Sequence, residues 1–139
     1  MCVFACACVL RRVCRPFVEG ESAAFSCTIL MQGFDWMSSK EPNRGWWRTL
    51  TERAEEIAAL GVTHVWLPPP SQSVSPEGYL PGKLWNLDMS EYGTEAELVE
   101  LNRAFRDAGV TPVCDIVVNH RTADVKVRGC TREKLFFCL

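Results

Sequence analysis

The sequence predicts an α/β fold built on a parallel sheet. Apolar, β-branched runs alternate with stretches of helical periodicity. Each helical stretch ends in glycine, and both exits read Gly-Val-Thr before the next apolar run. Strands that alternate with amphipathic helices pair in parallel through right-handed crossovers. The predicted order is β-α-β-α-β.

The first strand is read in AFSCTILMQGF, an apolar run that stops at Gly33. In GWWRTLTERAEEIAALG, Trp47, Leu50, Ala54, Ile57 and Ala58 recur at helical spacing. Arg48, Glu52, Arg53, Glu55 and Glu56 fill the opposite, solvated face. Gly61 closes this helix, where a left-handed residue fits most easily. Val62 to Leu67 form the second strand, which Pro68 to Pro70 stop. A long polar and aromatic loop follows, SQSVSPEGYLPGKLWNLDMSEYG. Connections in compact domains are commonly about 4–6 residues, so a loop of this length is either functional or disordered. Tyr79, Trp85 and Tyr92 argue against disorder.

Thr94 and Glu97 have the spacing of a capping box, each side chain satisfying a free backbone N–H at the helix start. Leu98, Leu101, Ala104, Phe105 and Ala108 form the buried stripe of the second helix, and Gly109 ends it. VTPVCDIVVNH is the third strand, with Cys114 expected as a small buried thiol. Parallel α/β folds bind ligands at the carboxyl ends of their strands. Here those ends are Gln32 to Trp36, the loop after Leu67, and Asn119-His120-Arg121.

The 139 residues suffice for one modest domain, and 47% hydrophobic with 23% charged residues describes a globular chain. A net charge of -2 without a long basic run points away from nucleic acid and anionic membranes. No apolar stretch reaches the roughly 20 residues that span a bilayer. Five of the eight cysteines, Cys2, Cys6, Cys8, Cys14 and Cys27, lie in the first 27 residues. No CxxC pair exists to suggest zinc, and reduced thiols are expected. The opening MCVFACACVLRRVCRPFVEG carries Arg11, Arg12 and Arg15 after its apolar part, the reverse of a secretory signal. It reads as an unassigned or targeting-like segment.

MQGFDW, GVTHVWLPPPSQSVSPEGYLPGKLWNLDMSEYGT and DIVVNHRTAD closely resemble the N-terminal part of plant-type α-amylases. These are calcium-dependent (β/α)8-barrel glycoside hydrolases that cut internal α-1,4 bonds of starch. The resemblance runs from about Ile29 to Asp124 and implies the N-terminal part of an incomplete TIM barrel. It divides the chain into residues 1–24, unassigned, 25–124, a partial barrel domain, and 125–139, an unassigned tail.

The resemblance also implies roles. Asn119 matches a calcium ligand, its amide carbonyl being a hard oxygen; a strand-end cap is the plainer alternative. His120 matches the histidine that hydrogen-bonds the sugar beside the scissile bond, and Tyr79 the aromatic that stacks on that sugar. Asp115 matches the acid of the DIVVNH motif and is expected to support other residues rather than to act on the bond. Trp46, Trp47 and Trp66 are read as packing residues, Arg121 as an ion-pair partner, and Asp35 receives no role.

A complete barrel of this type needs about 250 residues, and retaining glycosidases set two carboxylates about 5–5.5 Å apart. The family places them on the fourth and fifth strands, with a third acid after the seventh. The chain alone is therefore expected to be inactive, with no catalytic residue present and an incomplete Ca²⁺ site. A partial sequence or truncated gene model is the expected explanation. A non-catalytic module binding glucan or calcium is the alternative, and a cysteine-rich metal or redox protein a third reading.

Overall fold

A computed structural model describes residues 11–14, 27–119 and 122. Strand β1 is Arg11–Cys14 and β2 is Cys27–Gln32. Helices α1, Trp46–Glu52, and α2, Ala54–Ala59, lead into β3, His64–Leu67. The short strands β4, Gln72–Ser73, and β5, Pro81–Lys83, precede α3, Glu95–Asp107, and β6, Thr111–Cys114. The main sheet has the order β1-β2-β3-β6. β2 pairs with β3 in parallel, as does β3 with β6, while β1 joins β2 antiparallel. The three parallel strands and their crossover helices are those the sequence predicts.

The first helical stretch is two helices rather than one. Arg53, at φ -104 and ψ 5, separates α1 from α2. The apolar stripe survives the break: Trp47, Leu50, Ala54 and Ile57 are all buried. They pack in one cluster with Val65 and Leu67 of β3 and with Leu101 and Phe105 of α3. Burying each large side chain of this kind is worth about 1.5–3 kcal/mol relative to exposure. Gly61, at φ +82, takes the left-handed conformation expected at the end of the first helical stretch.

The capping box of α3 forms. Glu97 N donates to Thr94 Oγ1 at 3.3 Å, and Thr94 N donates to Glu97 Oε2 at 2.8 Å. Glu97 also meets Arg48 at 3.0 Å, tying α3 to α1. The long loop is ordered by the β4–β5 pair and by Tyr92, which is buried against Trp47 with ring centroids 5.4 Å apart. Among the described residues no helix is long and apolar enough to cross a membrane.

Two expectations about the third strand are corrected. Its regular pairing covers Thr111–Cys114 and stops there, short of the predicted run to His120. Its partner β3 ends at Leu67 and is followed by prolines, which carry no N–H to continue a ladder. Cys114 is exposed, not buried, and so are Val113, Ile116 and Val118. Among the described strands β6 lies at the sheet edge, with β3 as its one neighbour.

Candidate functional site

The carboxyl ends of β2 and β3 converge through a glycine. Gly33 N donates to Trp66 O at 2.8 Å. A Cβ at Gly33 would lie 2.6 Å from Val65 Cγ1 and 3.0 Å from Trp66 O, so a side chain there would push the strands apart. Trp46 Nε1 donates to Gly33 O at 2.9 Å, which anchors the start of α1 to the same point.

Beyond Gly33 the chain turns on Asp35. Its Oδ1 accepts from Met37 N at 2.7 Å, Ser38 N at 3.0 Å and Ser38 Oγ at 3.2 Å. Short acidic side chains stabilise turns in this way by capturing backbone N–H groups just downstream. The turn leaves Trp36 68% exposed beside Tyr79, with ring centroids 6.3 Å apart.

Alternation in β3 sends Val65 and Leu67 into the helix-packed core and Trp66 to the other face of the sheet. There Trp66 meets Phe34 edge-on at 5.3 Å. Its Nε1 donates to Asp115 Oδ2 at 3.2 Å, and the Tyr79 hydroxyl donates to the same oxygen at 3.0 Å. One carboxylate thus joins the end of β3, the long loop and the residue after β6.

These groups enclose a cleft of about 550 Å³ lined by Gln32, Phe34, Asp35, Trp36, Trp66, Glu77, Tyr79 and Tyr92. Its size and aromatic walls suit a small-molecule or oligomer site with few orienting polar groups. Burial pushes the Tyr79 phenol well above its ordinary range, and its hydrogen bond to Asp115 and that residue's charge add to the effect. Burial does the same to Tyr92, reinforced by the charges of Tyr79, Glu77, Asp35 and Asp115. Both phenols stay neutral and available as donors, and the Tyr92 hydroxyl donates to Glu77 O at 3.1 Å.

Of the residues singled out in the sequence, the fold brings Tyr79 and Asp115 together. Asn119 is exposed and does not line the cleft. His120 and Arg121 lie outside the described residues. Thr122 is tied to the long loop, its N–H donating to Pro81 O at 3.0 Å and its hydroxyl to Leu80 O at 3.2 Å. Trp66, expected as packing, also faces the cleft. Trp36 and Glu77 were not singled out, although Trp36 falls in the strand-end region where ligands bind.

Calcium takes 6–8 oxygen ligands. Among the described residues no group of three or more His, Cys, Asp or Glu side chains could hold a metal ion. Asn119 is exposed, and no such acidic cluster lies beside it among the described residues.

Residues 28–133 match the family model for the alpha-amylase catalytic domain. The chain belongs to that family. It is 49% identical over 98 residues to Alpha-amylase 3, chloroplastic, of Arabidopsis thaliana, covering 70% of this chain and 11% of that protein. It is 43% identical over 101 residues to Probable alpha-amylase 2 of the same plant, covering 73% of this chain and 24% of that protein. Its fold matches the crystal structure of Bacillus licheniformis trehalose-6-phosphate hydrolase with a TM-score of 0.50 and 31% identity, over 55% of this chain and 14% of that one. The chain thus spans a quarter or less of the length of these relatives. Its open parallel sheet with crossover helices is a partial form of the family's barrel.

Proposed function

We propose that the protein to which these residues belong hydrolyses internal α-1,4 bonds of starch-type glucans, and that residues 25–124 form the first part of its barrel domain. Residues 1–24 and 125–139 fall outside that division. The observation that carries the reading is the aromatic cleft at the strand ends, in which the Tyr79 hydroxyl is held by Asp115 at 3.0 Å.

In this reading the Tyr79 ring lies against the C–H face of a glucosyl unit. Asp115 is a positioning residue that fixes Tyr79 and Trp66 and does not touch the bond being cut. His120 hydrogen-bonds the hydroxyls of the same sugar. Support for that placement comes from the tethers on either side: Asp115 bonds Tyr79, and Thr122 bonds Leu80 and Pro81. Asp115 and Thr122, which flank His120 in the sequence, are thus both tied to the loop that carries Tyr79. Asn119 would contribute one oxygen to a calcium ion whose remaining ligands come from elsewhere. No step of the reaction is assigned to that ion, and neither Asp35, Glu77 nor Asp115 is assigned as nucleophile or acid.

Two measurements test this reading. Titration of the chain with maltoheptaose, followed by tryptophan fluorescence, is expected to saturate. Tyr79→Ala is expected to weaken binding about tenfold, the equivalent of ~1.4 kcal/mol. Unchanged binding by Tyr79→Ala, or equal binding of a cello-oligosaccharide, would overturn the assignment. The 139-residue chain alone is expected to release no reducing ends from soluble amylose. Release above that of a His120→Ala control would contradict the placement of the cutting groups outside it.

A further inference from the structure

We propose that Glu77 is a specificity-determining residue of the aromatic cleft, accepting hydroxyls of a neutral glucosyl unit and turning away units that carry an anionic group. The inference rests on the glucan reading above and names a group within that site.

The turn that carries Glu77 is pinned at several points. Gly78 N donates to Ser75 O at 3.1 Å. Gly78 takes φ +90, and a Cβ there would lie 2.9 Å from Pro69 Cβ and 3.0 Å from Pro69 O. Glycine thus lets the turn close onto the prolines that follow β3. Glu77 O accepts from the hydroxyl of the buried Tyr92 at 3.1 Å, and Tyr79 is held by Asp115 at 3.0 Å. Between these ties the half-buried Glu77 stands in the wall of the cleft.

The other acidic and phenolic groups of that wall already have partners within the protein. Asp35 Oδ1 holds its own turn, and the Tyr79 and Tyr92 hydroxyls donate to Asp115 and to Glu77 O. Among the described residues the Glu77 carboxylate takes part in no hydrogen bond or ion pair. An ionised carboxylate only accepts hydrogen bonds, so what it lacks is a donor. A sugar hydroxyl supplies one, and a charged acceptor makes the bond stronger than a neutral acceptor does.

The charge also selects. Asp35 and Glu77 line the cleft, Asp115 lies behind Tyr79, and none of the described lining residues is cationic. All three carboxylates act on the Tyr92 phenol, so their fields overlap in one space. Like charges repel most where protein walls limit screening by water. A carboxylate or phosphate on the bound sugar is disfavoured there, while an unmodified glucosyl unit is not.

The test titrates the full chain with maltoheptaose and with maltoheptaose oxidised at C6 to the uronate, at low and at high salt, followed by tryptophan fluorescence. The parent chain is expected to bind the neutral ligand about tenfold more tightly at low salt, and the ratio is expected to shrink at about 1 M salt, where the Debye length falls to about 3 Å. Glu77→Gln keeps the size and polarity of the side chain and removes its charge. This variant is expected to bind maltoheptaose about threefold more weakly and to bring the neutral-to-uronate ratio down to about threefold. A purely structural Glu77 would move both ligands together and leave the ratio and its salt response untouched. An unchanged ratio in Glu77→Gln, or tighter binding of the uronate by the parent chain, would overturn the role of Glu77 and leave the glucan reading in place. Failure of the parent chain to bind maltoheptaose would overturn both.

Discussion

Asp115 Oδ2 accepts from both Trp66 Nε1 and the Tyr79 hydroxyl, and a single substitution therefore strands two donors. Leaving a fully buried donor unsatisfied costs about 1–3 kcal/mol, and less where water can reach it, as at these half-buried groups. Asp115→Leu is thus expected to lower stability by about 1–2 kcal/mol, read as a fall in the urea midpoint, whereas Asp115→Asn keeps an acceptor and costs less. An unchanged midpoint for the leucine variant would mean the shared acceptor contributes nothing. The tyrosines give a second prediction at this scale. Tyr79 and Tyr92 are the two tyrosines of the chain, and both are raised above the ordinary value of 10.0. A raised folded-state value favours the neutral phenol. The stability it contributes is whole below about pH 10 and drains away as pH rises from there toward the folded-state values. Tyrosinate absorbance should be absent from the folded chain at about pH 10 and half developed in the chain unfolded by urea. Matching titrations would remove the burial argument. Tyr79 and Asp115 could be picked out in the sequence because their motifs are distinctive, but their shared bond could not. It joins residues from a loop and a strand end far apart in the chain. Trp66 was legible in principle, since its neighbours Val65 and Leu67 define the core face and leave it on the other.

At the scale of single elements, local rules read best where the chemistry is local. The Thr94–Glu97 spacing names its own hydrogen bonds, and both form. Thr94→Ala is expected to cost about 1 kcal/mol, within the 0.5–2 kcal/mol range of lost N-caps, measured by the same denaturant midpoint. A shift indistinguishable from zero would show that Glu97, through Arg48, holds the helix start unaided. The break at Arg53 was not legible, because the apolar spacing of Trp47, Leu50, Ala54 and Ile57 runs through it without a change of phase. The end of β6 was hidden for the opposite reason. Residues 116–118 keep the apolar, β-branched composition of a strand, but pairing depends on a neighbour, and β3 has already given way to proline.

At the scale of the whole molecule, no described strand pairs with the outer edge of β6. Val113 in β6 is 40% exposed, and Ile116 at 59% and Val118 at 70% follow in the segment just beyond the strand. Bare apolar edges promote association between copies, and charges placed on them oppose it. The double variant Ile116→Lys with Val118→Lys is expected to reduce concentration-dependent light scattering while preserving the urea midpoint, because neither side chain is in the core. Scattering as strong as that of the parent chain would locate the association elsewhere. The opposite flank differs, for there β1 pairs antiparallel with β2.

That placement also sets an order of events during synthesis. Every parallel pairing in this sheet waits for an intervening helix to be made, so β2 leaves the ribosome well before β3 exists to receive it. β1 has already been translated by then. An N-terminal strand that folds back as a nearby hairpin can shelter the newborn first barrel strand until its lasting neighbours arrive.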